Sequence, residues 1–161
     1  MILASESFMK AKVQKAELDR QEVERKKLEI QALKDNAEYY CENYITKKIT
    51  EAINQGRTSV DIDIIYENWK NKYFLVQNSH TCGIYNNRSK AYYEVPTFKA
   101  PFNFEFLKNY LIEAGYKIII ENNAFKIATS RTGMCTSNDN GIILTISWAE
   151  PQNNFIAIVI E

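Results

Sequence analysis

Apolar side chains recur at helical spacing through the first third of the chain and at a spacing of two after it. Residues 5–55 are rich in Ala, Glu, Lys, Gln, Arg and Leu and contain neither Gly nor Pro. This composition predicts one long helix. Gly56 stands where a glycine commonly ends a helix, and Ser5 or Ser7 is the expected N-cap.

The predicted helix has two parts with different patterns. Its second part carries a broad apolar stripe, typical of a helix packed on a core. The stripe consists of Ala37, Tyr40, Cys41, Tyr44, Ile45, Ile49, Ala52 and Ile53. Residues 8–34 are far more charged, and any break in the helix is expected at Asp35-Asn36. We therefore predict a charged helical arm at residues 1–36 and a single domain at residues 37–161.

One line of apolar side chains, called here the apolar seam, follows the arm at intervals of seven residues. The seam consists of Met9, Ala16, Val23 and Ile30, and Leu33 completes the set of candidate assembly residues. The second line that a two-stranded coiled coil requires holds Lys12, Asp19 and Lys26 instead. Because helices gain most stability from packing, we expect a second copy of the chain or another protein to cover the seam. The alternatives are an arm folded back on its own domain and a solvated helix.

A second set of apolar residues in the arm steps by five and winds around the helix without lining one face. It comprises Phe8, Val13, Leu18, Leu28 and Leu33, together with Val23 of the seam.

After Gly56 the pattern indicates strands. Val60, Ile62 and Ile64 alternate with two aspartates, as in a half-buried strand. Further strands are predicted at residues 81–85, 90–95, 116–121, 124–130, 142–148 and 154–160. The turns Asn86–Ser89 and Asn122-Asn123 are expected to close hairpins.

The segment between these strands holds one more helix. Asn103 is its expected N-cap and Gly115 its end, while residues 66–74 are expected to form a short helix or an irregular segment. The fold class is therefore predicted as α+β: a long N-terminal helix, then a mostly antiparallel sheet with one packed helix.

This order of elements resembles that of small bacteriophage proteins of unassigned role. The likeness rests on the helix end at Ala52–Gly56 leading into Ser59–Ile62, on Leu111–Ile118, and on Ile146-Ser147-Trp148. It covers roughly residues 49–65 and 104–148. The resemblance implies a phage protein, acting as a virion component or as an inhibitor of a host defence protein, and it transfers no functional residue.

Composition excludes several classes of function. The net charge is zero, from 20 basic and 20 acidic residues, which disfavours general nucleic-acid binding. We expect neither a membrane span nor a secretory signal, because long apolar runs are absent. Three widely spaced cysteines fit a reducing cytoplasm better than a disulfide framework.

Catalytic chemistry has little support in the sequence. A glycine-rich phosphate loop is missing, and His80 is the only histidine, so no metal site or cofactor is expected. A dyad of Cys135 and His80 would be the most testable thiol enzyme. Asp61 and Asp63 share one strand face and are interpreted as its solvated side. We expect a non-enzymatic interaction protein.

A second candidate surface lies around two prolines, where aromatic and basic side chains crowd together. Its members are Arg88, Lys90, Tyr92, Tyr93, Phe98 and Phe102, with Arg131 from a later loop. Aromatic rings are enriched in interfaces, and cations beside them attract anions. This surface is therefore predicted to contact a partner or, as the alternative function, to sequester a small anionic ligand such as a nucleotide.

Overall fold

The computed structural model describes residues 3–68, 70–76, 82–86, 91–95, 100–128, 140–149 and 157–160. Contacts within the chain divide it into two compact units, Met1–Leu33 and Lys34–Glu161. The division falls a few residues before the predicted boundary at residue 36.

The first third of the chain is helical throughout, as predicted. Helix α1 covers Ala4–Tyr39, a π-helical turn covers Tyr40–Ile45, and helix α2 covers Thr46–Asn54. Because α1 begins at Ala4, Ser5 and Ser7 lie inside its first turns, and the N-cap assignment was wrong. Asp35-Asn36 also lies within α1, so the backbone has no break there.

The π-helical turn is the irregularity that the sequence did not indicate. The backbone N–H of Thr46 donates to the carbonyl of Cys41, five residues back, and the Thr46 hydroxyl donates to the same oxygen at 2.7 Å. An extra residue in one turn rotates the following side chains relative to an α-helix. Tyr40, Cys41 and Ile45 are thereby all buried, whereas Ile53, the last predicted member of the apolar stripe, is exposed.

Glycines end both α2 and α3 (Phe104–Glu113), as predicted. At the end of α2, Gly56 adopts a φ of 73°, and its N–H donates to the carbonyl of Ile53 at 2.9 Å. The N–H of Arg57 donates to Ala52 at 2.9 Å, which completes the paired bonds of a Schellman motif. Gly115 closes α3 in the same way, with a φ of 94°.

The described residues after α2 build a mixed sheet of seven strands. These are β1 (Ser59–Glu67), β2 (Lys72–Leu75), β3 (Cys82–Asn86), β4 (Ala91–Val95), β5 (Lys117–Ala128), β6 (Asn140–Ser147) and β7 (Ala157–Ile160). The strand order is β2-β1-β6-β5-β3-β4, with antiparallel pairing throughout. Strand β7 also pairs with β5, in parallel. Because the chain combines these helices with a largely antiparallel sheet, its fold class is α+β, as predicted.

Two segments differ from their predicted structure. Residues 66 and 67 end β1, β2 begins at Lys72, and Asn71 before it adopts the positive φ that a turn requires. Asn122-Asn123 closes no hairpin, since β5 continues through it with a bulge against β6. The Asn140 side chain holds this bulge: its Oδ1 accepts from the N–H of Asn123 at 2.7 Å.

The main core lies between the helices and one face of the sheet. Helix α2 packs on β1, and α3 packs on β5. Fully buried members of this core include Ala37, Ile45, Ile64, Leu107, Ile118 and Leu144. A smaller buried cluster is formed by Ile65, Val76, Ala124, Phe125 and Ile143. Ile64 and Ile65 belong to different clusters because neighbouring residues of a strand point to opposite faces.

Candidate interaction surface on the N-terminal helix

The apolar seam lies exposed on α1. Met9 retains 55% of its accessible surface, Val23 53% and Ile30 55%. Ala16 is exposed as well, and Leu33 is half-buried. Apolar side chains of this size are usually buried in folded proteins, so a line of them exposed along one helix is a candidate interaction surface.

Two further residues widen the seam near the start of the helix. Phe8 precedes Met9 and Val13 follows it by one turn, so both side chains lie beside the seam. Phe8 is 68% exposed and Val13 66%. The spacing of seven did not include them, although their positions before and one turn after a seam residue are readable from the sequence.

Charged side chains on the same helix pair with one another along its axis. Arg20 donates to Glu17 at 2.6 Å, and Arg25 donates to Glu22 at 2.6 Å. The hydrogen bond from Arg25 lowers the pKa of Glu22 below its ordinary value. Glu22 also lies 3.9 Å from Lys26. Such exposed pairs favour the helical conformation slightly and do not cover the apolar seam.

The second candidate surface lies mostly beyond the described part of the chain. Arg88, Lys90, Phe98 and Arg131 are outside the described residues. Tyr92 and Tyr93 belong to β4, where the backbone pairs with Tyr85 and Ile84 of β3, and their side chains are also outside the description.

Phe102 is the one described side chain of that surface, and it is buried. Only 2% of it is exposed. Its ring packs edge-on against Tyr40, with 5.8 Å between the centroids, and its N–H donates to the carbonyl of Tyr73 at 3.1 Å. Phe102 therefore belongs to the core and offers no contact to a partner, contrary to its sequence-based assignment. The physical reason is that helix α1 and the π-helical turn supply an apolar site for the ring.

The segment before Phe102 is held by two side chains of the helix. Asn36 donates to the carbonyl of Pro101 at 2.8 Å, and the hydroxyl of Tyr40 donates to the carbonyl of Ala100 at 2.8 Å. Both carbonyls would otherwise need water as a partner. These bonds fix the chain at the entry to α3 and serve the fold.

Residues considered for catalysis give no site within the described part of the chain. His80 and Cys135 lie outside it. Burial raises the pKa of the Cys41 thiol to about 12, so this cysteine stays protonated and unreactive at neutral pH. Asp61 accepts a hydrogen bond from the Thr145 hydroxyl at 2.6 Å on the sheet surface. Among the described residues, no three His, Cys, Asp or Glu side chains are grouped to hold a metal ion.

No family model, curated protein or solved structure matches this chain. In the described residues, no helix combines the length and apolar character that a membrane crossing requires. The exposed apolar residues of α1 form the candidate functional surface.

Proposed function

We propose that the protein acts without catalysis, by binding another protein chain through the apolar seam of α1 together with Phe8 and Val13. One observation carries the proposal: large apolar side chains lie exposed along one side of a continuous helix. The partner's surface would cover the seam, and the α+β domain would be carried along with it.

The size of the surface indicates how tight such binding would be. Fully burying a Val, Ile, Met or Phe side chain contributes about 1.5–3 kcal/mol. The five large side chains here are already about half-shielded by their own helix, so roughly 5–8 kcal/mol is available in total. Association itself opposes binding by about 4–15 kcal/mol. We therefore expect reversible binding that depends on concentration, unless further contacts are made.

The phage resemblance suggests two settings for this activity. Such a helix could join copies within a virion assembly, or it could dock on a host defence protein. Both stay predictions, since the evidence for them is the resemblance alone. The alternative function, sequestering a small anionic ligand, depends on Arg88, Lys90 and Arg131, which lie outside the described residues.

The experiment compares two double variants of the full chain. V23Q/I30Q makes the seam polar, whereas L18Q/L28Q makes an equally exposed pair on another side of the same helix polar. Each variant is examined by sedimentation velocity from micromolar to millimolar concentration and by co-purification from the native cells. We expect V23Q/I30Q to lose self-association or a specific co-purifying protein, and L18Q/L28Q to retain it.

The outcome that would contradict the proposal is equally specific. The unmodified chain would sediment as a monomer at every concentration, and V23Q/I30Q would co-purify with the same proteins as the unmodified chain. Circular dichroism of both variants checks that the helix is intact, so that a loss of binding is not a loss of folding.

A further inference from the structure

Resting on the proposed function, we propose that the molecule covering the apolar seam is a second copy of this chain, with the two helices antiparallel. In this arrangement Lys15 of each chain lies against Glu22 of the partner subunit. Glu6 of each chain lies against Lys27 of the partner subunit. The centre of the pair falls between residues 17 and 18.

Helix α1 is uninterrupted from Ala4 to Tyr39, so positions seven residues apart stay close to one line along it. The side chains that flank the seam then form two further lines. One holds Phe8, Lys15, Glu22 and Glu29, and the other holds Glu6, Val13, Arg20 and Lys27. In a helix pair, flanking side chains meet across the interface and set its orientation.

A parallel pair would bring like charges together. In that orientation Lys12, Asp19 and Lys26 would each face their own copy beside the seam. Lys15 would also meet Arg20 of the partner subunit, and the opposite charges of Glu22 and Lys27 of the partner subunit would offset these repulsions only in part. Like charges that meet at an interface oppose the wrong pairing and so select against this orientation.

An antiparallel pair removes these conflicts. The line of Lys12, Asp19 and Lys26 then faces the apolar seam of the partner subunit. Lys12 of one chain then covers Val23 of the partner subunit, and Lys26 covers Met9 in the same way. The long aliphatic stem of a lysine shields apolar surface while its ammonium group stays in water. Ala16 lies opposite Asp19 of the partner subunit at the centre, where the small side chain of Ala16 lets the two helices approach.

Charge fixes the register of the antiparallel pair. In the proposed register, each flanking pair joins opposite charges or a charge with an apolar side chain. Moving one chain by seven residues in one direction would bring Glu22 against Glu22 of the partner subunit. It would also bring Arg20 against Arg20 of the partner subunit. Moving it the other way would set Lys15 against its own copy. Of these three registers, the proposed one is the only one in which no flanking pair joins like charges.

The side chains that would form the outer pairs are available for it. Within the described part of the chain, Glu6, Lys15 and Lys27 are exposed and make no ion pair. Glu22 already accepts two hydrogen bonds from Arg25. Its pairing with Lys15 of the partner subunit therefore stabilises the dimer less than the pairing of Glu6 with Lys27. The pair of Glu6 with Lys27 is therefore the more informative one.

Zero-length carbodiimide cross-linking of the unmodified chain tests the register. Residues 6 and 27 of one helix are about 31 Å apart, so a direct Glu6–Lys27 bond can form only between two chains. A mixture of ordinary and nitrogen-15-labelled protein shows this directly in peptide mass spectra. We expect mixed-isotope Glu6–Lys27 peptides at concentrations where sedimentation finds a dimer.

Charge reversal supplies the second measurement. Lys27→Glu places like charges at two symmetric positions, and we expect it to weaken the dimer about tenfold. E6K/K27E restores opposite charges and should recover most of the affinity, whereas Glu24→Lys, on the far side of the helix, should change it little. Circular dichroism confirms equal helix content.

The failures of the two proposals are distinguishable. A dimer that forms without Glu6–Lys27 cross-links, and that is unaffected by Lys27→Glu, overturns the antiparallel register and leaves docking through the seam intact. A chain that is monomeric at millimolar concentration overturns self-pairing. The proposed function then depends on whether V23Q/I30Q loses a co-purifying protein.

Discussion

Replacing Gly141 by alanine should destabilise the fold, although glycine is normally the weaker residue in a strand. Gly141 lies in β6, between Ile65 of β1 and Phe125 of β5. A Cβ at this position would overlap the carbonyl oxygen of Phe125 and stand 2.5 Å from its ring carbon Cδ2. Phe125 is 1% exposed, so its ring has no free space into which it can turn.

The expected magnitude follows from two opposing effects. With room for the methyl group, Gly→Ala would stabilise the protein by about 0.4–1 kcal/mol, because the unfolded chain loses conformational freedom. Here the carbonyl and the ring of Phe125 must move, and overpacking of a core costs typically about 1–3 kcal/mol. Since β6 is paired on both edges, it cannot shift away easily. We expect the free energy of unfolding to fall by about 2 kcal/mol, near the upper end of this balance.

Urea denaturation followed by circular dichroism and tryptophan fluorescence measures this difference. Gly115→Ala is the matched control, because nothing lies within 4 Å of its added Cβ and the φ of 94° is the sole source of strain. That control should lose about 1–2 kcal/mol. Phe125→Leu should lower the free energy of unfolding less in the Gly141→Ala protein than in the unmodified chain. The reason is that the leucine removes the overlap between the introduced methyl group and the Phe125 ring. A Gly141→Ala protein as stable as the unmodified chain would refute this reasoning.

Three further predictions test the core, a helix cap and a buried thiol. Leu107→Ala should lower the free energy of unfolding by about 2–5 kcal/mol, because Leu107 is fully buried. Leu18→Ala, at an exposed position, should change it by less than about 0.5 kcal/mol. Equal losses in urea titrations would contradict the assignment of Leu107 to the core. Asn103→Ala should cost about 1 kcal/mol in the same assay, because the Asn103 side chain accepts the N–H of Phe106 at 2.9 Å, and an unchanged stability would show that the cap is dispensable. Burial raises the pKa of Cys41 from 9.0 to about 12, so between these values the folded chain keeps a proton that the unfolded chain releases. Stability should therefore fall as the pH rises through this range, and less steeply in Cys41→Ala; identical slopes would contradict it.

Features set by short-range preferences were predictable from the sequence. The helical first third follows from its residue propensities and from the lack of Gly and Pro. The ends at Gly56 and Gly115 follow because glycine adopts a positive φ without a steric penalty. Asn103 is the observed N-cap of α3, since its side chain can satisfy a free backbone N–H.

Features that depend on distant neighbours were not predictable. Asn122-Asn123 has the composition of a turn, yet β5 continues because β6 pairs along one of its edges while β3 and β7 share the other. Phe102 sits among residues typical of a loop surface, but the rings of Tyr40 and Phe104 enclose it. The π-helical turn has no local signature in the sequence, and its Tyr40, Cys41 and Ile45 are all buried against the rest of the domain.

The features of the candidate interaction surface also fall into those that the sequence predicted and those that required the structure. The seam of Met9, Ala16, Val23 and Ile30 was readable from the spacing alone, because a helix places every seventh residue on nearly one line. The structure adds that these side chains are exposed on α1. The sequence by itself thus determined the helix, its caps and the position of the seam, all of which depend on local geometry. The tertiary structure alone decided the course of β5 and the place of Phe102, since each depends on residues that are distant in the sequence.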